Sequence, residues 1–156
     1  MYDLRRNDYD VANSVQVSST AAVTSAVREL FTTAWPAEHF DKVAVAFEDF
    51  DKLFTGHMPG YHGVDTLYHD RQHSLDMTLA MARLLVGYER SVENRLRFGG
   101  ERASLALVTS LFHDAGYIRE FDDRQHSNGA EFTLYHVTRS DPSTVLAATP
   151  PSTNSG

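Results

Sequence analysis

Two short stretches of this chain carry side chains suited to metal or acid–base chemistry. His69 and His73 stand four residues apart, and on a helix that spacing brings side chains to ~5–6 Å of one another, close enough for two imidazoles to address one cavity. The doublet His113-Asp114 closes a strongly apolar run, with Leu111 and Phe112 before it and Ala115 and Gly116 after it. A carboxylate at the end of a buried segment needs a partner, because isolated buried charge is expensive. The C-terminal end of a helix also carries partial negative charge that favours a cation. Each feature has a plainer reading: an i,i+4 pair can be two surface histidines, and a His-Asp doublet can simply emerge into solvent. A further histidine, His126, lies in Gln125-His126-Ser127-Asn128-Gly129-Ala130, with Asp122 and Asp123 nearby. His39, His57, His62 and His136 lack a supporting pattern and read as surface or structural residues.

Helices must position these groups. Val23, Val27, Leu30 and Phe31 mark a first helix from Thr20 to about Trp35. A second starts near Pro36 and buries Phe40, Val43, Ala44, Phe47, Phe50 and Phe54. A Gly- and aromatic-rich loop spans 56–64. Asp65 or Asp70 caps a third helix through Leu75, Leu79, Ala82, Leu84, Leu85 and Val86 to about Arg90. The fourth runs from about Glu101 to Ala115 through Leu105, Leu107, Val108, Leu111 and Phe112, with Gly116 as its stop. A fifth, from about Ser127 to Val137, uses Phe132, Leu134, Tyr135 and Val137. No strand pattern competes, so the fold class is all-α. Residues 1–18 read as a flexible N-terminal arm, 19–140 as one helical domain, and 141–156 as a disordered tail rich in Pro, Ser and Thr.

Composition removes several classes. The chain has 156 residues, 42% of them hydrophobic, a net charge of −7 and no cysteine. That charge disfavours nucleic acid and anionic membranes as partners. The missing cysteines exclude disulfides, thiol catalysis and Cys-held metals, so any metal sits among nitrogen and oxygen donors. No segment has the make-up of a signal peptide or a membrane span, and the expected location is cytoplasmic. Walker, Rossmann, zincin and serine-hydrolase motifs are all absent.

Tyr68-His69-Asp70-Arg71-Gln72-His73, followed by an apolar helix and Leu111-Phe112-His113-Asp114, resembles the HD-domain metal-dependent phosphohydrolases. More narrowly, the first motif resembles the Y-H-N-x-x-H of cyclic-nucleotide phosphodiesterase catalytic domains. The resemblance covers roughly residues 60–137. It implies an HD-type helical bundle whose His73, His113 and Asp114 are metal ligands and whose His69 is the acid that protonates the leaving alkoxide. His126 resembles an extra histidine that helps hold a second metal in some branches. One or two divalent ions (Mg, Mn, Fe or Zn) are then the cofactors, and a small phosphorylated compound or nucleotide is the substrate. The chain departs from the pattern at two places. Position 70 is Asp rather than Asn, and the closing Asp of a later helix has no counterpart, since only Asp122, Asp123 and Asp141 follow Asp114. The domain is therefore expected to be short at its C-terminus, with an incompletely covered core that favours self-association. A non-catalytic HD-fold remnant that binds metal or nucleotide, and a di-iron oxygenase on the same scaffold, are the alternative readings.

Overall fold

A computed structural model describes residues 8–140 of the chain. The described residues are all-α. They form α1 (Thr20–Thr32), α2 (Asp41–Phe54), α3 (Arg71–Ser91), α4 (Gly100–Phe112) and a single-turn α5 (His136–Arg139), with 3-10 turns at Ala37–Phe40, Asn94–Leu96, Ala115–Tyr117 and Gly129–Phe132. Among the described residues, extended pairing is limited to two isolated bridges, Tyr9 with Gln16 and Tyr61 with Glu120. No described helix is long and apolar enough to cross a membrane.

Each long helix buries one stripe. On α1 it is Val23, Val27 and Phe31, and on α2 it is Val43, Phe47, Phe50 and Phe54 joined by Leu53. On α3 the buried positions run Leu75, Leu79, Ala82, Leu85, Val86 and Glu89, and on α4 they run Ala103, Ser104, Leu107, Ser110 and Leu111. These intervals of three and four set one face of each helix against its neighbours. α3 packs on α4 and α1, and α2 packs on α4. Aromatic contacts seal the layer, with Phe31 and Trp35 rings 4.9 Å apart and Phe50 meeting Phe112 edge-on at 6.0 Å, in the tilted geometries that aromatic quadrupoles favour.

α3 and α4 run antiparallel, and this places the chemistry. Near the far end of the pair the buried Glu89 accepts from Trp35 Nε1 at 3.0 Å and from the Phe98 backbone N–H at 2.7 Å. The start of α3 therefore lies beside the end of α4, which brings His73 to His113 with ring centroids 5.5 Å apart.

Several expectations need correction. The fifth helix is not continuous: residues 127–137 form a 3-10 turn, a connection and the start of α5. Only Phe132 of its apolar set is buried, whereas Leu134 is 94% exposed, Tyr135 and Val137 are exposed as well, and the apolar residues lack a 3.6-residue period. Leu84 and Leu105 also point outward. α4 ends at Phe112, earlier than Ala115, and Gly116 is not its left-handed stop, since it is absent from the positive-φ glycines.

Residues 8–18 are not a loose arm. Val17 is fully buried, and the buried Asp10 accepts from Ser14 N–H, Val15 N–H and Arg83 Nη2 at 2.7, 2.9 and 2.6 Å. The Val15 backbone bond, then Arg83, then Ser14 hold the Asp10 carboxyl well below the ordinary carboxylate range. A depressed carboxyl stabilises the fold fully above its unfolded pKa of about 3.9 and loses that contribution as pH falls toward the folded pKa. Asp10→Asn should therefore lower the melting temperature clearly at about pH 6, with the gap to wild type narrowing below about pH 4. Thermal melts across that range check it, and a constant gap would contradict it. Residues 1–7 and 141–156, including the expected tail, lie outside the described residues.

Candidate metal centre

Asp70 caps α3: its carboxylate accepts the His73 N–H at 2.8 Å. Asp and Asn cap helices about equally well, so this contact explains how an Asp suits position 70. Asp65, the other candidate cap, instead accepts the Gly129 N–H at 2.7 Å and holds Arg119. The cap fixes the first turn of α3 and with it His73. His69 stands before the cap and off the helix, so the two histidines do not share a helical face as their spacing suggests. Their rings nevertheless meet edge-on with centroids 5.5 Å apart.

Asp114 continues the buried phase of α4, three residues past Leu111, and is 1% exposed. One oxygen of its carboxylate collects three imidazoles. His69 Nδ1 lies 2.9 Å from Oδ2, His113 Nε2 lies 3.1 Å from it and His73 Nε2 lies 3.5 Å from it. Burial pushes the Asp114 carboxyl up, but the hydrogen bonds from His113 and His69 outweigh it and leave it lowered overall. The same contact with Asp114 raises His113 above the usual imidazole value, against burial and with help from the Ser110 carbonyl.

The donor set fits a divalent cation. His69, His73 and Asp114 each offer one ligand atom, and the three atoms lie within 4.8 Å of one another. His113 donates its Nδ1–H to the Ser110 carbonyl at 2.7 Å, which turns Nε2 toward Asp114. There it donates to the carboxylate in the metal-free site and could give up that proton to bind a cation. A backbone carbonyl fixing the tautomer from behind is the usual support for a metal-binding histidine. Two or three imidazoles and a carboxylate suit Zn, Fe or Mn, and with fewer nitrogen donors Mg.

No family model, curated protein or solved structure matches this chain. Four of the five residues singled out in the sequence, His69, His73, His113 and Asp114, come together. His126 does not join them. Its Nδ1–H donates to Asp123 at 2.9 Å, and its Nε2 accepts from the Tyr135 hydroxyl at 3.2 Å. Both ring nitrogens are thus engaged within the 123–135 segment, where the ring also packs on Phe132.

Sequence reasoning missed Tyr117 and His136. The buried Tyr117 ring stacks on His69 at 4.6 Å and 17° and on His136 at 4.2 Å and 16°. The only signal in the sequence was the nearness of Tyr117 to the doublet, since the partners come from segments 48 and 19 residues away. The loop at 56–64 contributes as a clamp: His62 N–H donates to the Arg119 carbonyl and Phe121 N–H to the Gly60 carbonyl, each at 2.9 Å. It thereby holds the chain that leaves the doublet.

Proposed function

We propose that this protein is a divalent-metal-dependent phosphohydrolase of HD type, acting on a small phosphoester or nucleotide. The observation that supports it is the convergence of His69, His73 and His113 on one oxygen of the buried Asp114. On this reading His73, His113 and Asp114 would hold the cation, and His69, although within ligand range of His73 and Asp114, is kept for the proton. A cation held there would lower the pKa of a coordinated water to about 7 and offset phosphoryl charge. The chain's own residues do the rest. Asp114 orients His69 through Nδ1, leaving Nε2 as the atom that hands a proton to the leaving alkoxide. The end of α4 adds its partial negative charge beside the cation. Asp70 keeps the first turn of α3, and so His73, in place.

The reading is tested by a panel of phosphomonoesters, phosphodiesters and nucleotides, each assayed with Mn²⁺, Fe²⁺, Zn²⁺ and Mg²⁺. Hydrolysis of at least one substrate, dependent on metal and lost in His113→Ala, is the expected result. Metal bound at this site without turnover of any phosphoester would overturn the enzymatic reading in favour of a metal-binding protein.

A further inference from the structure

We propose that Tyr117 is a positioning residue for His69, itself held in register by the turn His136–Arg139 and Ser140; this rests on the reading of His69 as the proton donor. His69 precedes α3, so no helical backbone fixes its ring, and about a third of its side chain is exposed. One hydrogen bond, from Nδ1 to Asp114, anchors an edge. The Tyr68 and His73 rings meet the imidazole edge-on, at 5.1 and 5.5 Å, so one face-to-face contact is left to fix the plane. The face of Tyr117, nearly parallel to the imidazole at 4.6 Å, supplies that contact.

Tyr117 is held in turn from its other neighbour and from its backbone. The His136 ring stacks on it at 4.2 Å, and the His136 Nδ1–H is tied to the Thr133 carbonyl at 2.9 Å. Ser140 Oγ accepts the Gly116 N–H at 2.8 Å and donates to a carbonyl, with those of His113 and His136 both 2.9 Å away. Arg139 donates from Nε to the Gly116 carbonyl and from Nη2 to the Ile118 carbonyl, at 2.9 and 3.0 Å. The turn thus grips the backbone on both sides of Tyr117. Glycine at 116 is what allows the approach, because a methyl group there would overlap the His136 carbonyl oxygen. Gly129 does the same on the opposite side, where a methyl group would overlap the Tyr117 carbonyl oxygen.

The test reads the His69 ring directly, in metal-free protein, by proton–carbon NMR of the histidine side chains, with the His69 signal assigned by its absence in His69→Gln. A stacked aromatic face displaces the signals of the imidazole protons over it. Wild type should show His69 displaced from the position of a free imidazole, and Tyr117→Phe should keep that displacement. Tyr117→Leu should remove most of it, leaving the smaller part due to the edge-on Tyr68 and His73 rings. His136→Ala, at a half-exposed position, should reduce it without unfolding the protein and serves if Tyr117→Leu proves too unstable. In the metal-loaded enzyme Tyr117→Leu should lower kcat with KM and bound metal unchanged, and Tyr117→Phe should restore it. An undisplaced His69 signal in wild type, or one unmoved by both Tyr117→Leu and His136→Ala, overturns the proposal. If the signal behaves as expected while wild type hydrolyses no phosphoester, the positioning of His69 stands and the hydrolase reading falls.

Discussion

Asp114→Asn should abolish the gain in melting temperature that a divalent cation gives the wild-type protein. A ligand at a hundredfold excess over its Kd stabilises the fold by about 2.7 kcal/mol. For a chain of this size each kcal/mol moves the melting temperature by roughly 2–4 °C, so wild type should gain about 5–10 °C with saturating metal. The substitution keeps the shape of the side chain and an oxygen that can accept from His69, but it removes the negative charge on which three imidazoles converge. Its effect on affinity should exceed the 10–100-fold typical of losing a mere supporting contact. The metal-free variant should itself melt below metal-free wild type, because the Asp114 carboxyl is lowered overall by its imidazole partners and removing one partner of a buried charge cluster is destabilising. The gain on adding metal is therefore read for each protein against its own metal-free form. Differential scanning fluorimetry with and without Mn²⁺ or Zn²⁺ checks both halves. A variant that still gains 5 °C or more would mean that the cation binds elsewhere.

His69→Gln should lower kcat by about 10²–10⁴ while KM and bound metal stay near wild type, the range that a positioned proton donor contributes. Gln can still donate to Asp114, so the carboxylate keeps that partner, but an amide cannot deliver a proton to an alkoxide. The control is a substrate with a phenolic leaving group acidic enough to depart unprotonated, on which the loss should be much smaller. His69 also stands in ligand range with His73 and Asp114. Loss of metal together with activity would therefore place His69 among the ligands and give the proton to another group.

The parts of the site readable in the sequence are those whose signal is local. The doublet His113-Asp114 follows an apolar helix, and Asp114 falls in phase with Leu107 and Leu111, so its burial follows from periodicity. His73 is legible because Asp70 marks where α3 begins. His69 was legible by spacing alone, and for a reason the structure changes: it reaches the site from before the cap rather than from a helical face. The Tyr117 and His136 stack was not legible, because it depends on how the segment after α4 folds back, which no short window records. The same holds for Asp10 and Arg83, paired across 73 positions, where polarity alone suggested a loose arm. The fifth helix failed for a different reason: Phe132, Leu134, Tyr135 and Val137 are apolar without sharing a face, and only Phe132 finds the core.

The most direct test of the metal centre is metal content per chain by elemental analysis, comparing wild type, the double variant His73→Ala/Asp114→Ala and His126→Ala after identical purification and metal supplementation. The site described here predicts near-stoichiometric metal in wild type and in His126→Ala, and none in the double variant. Equal metal in wild type and the double variant, or none in wild type, would contradict it.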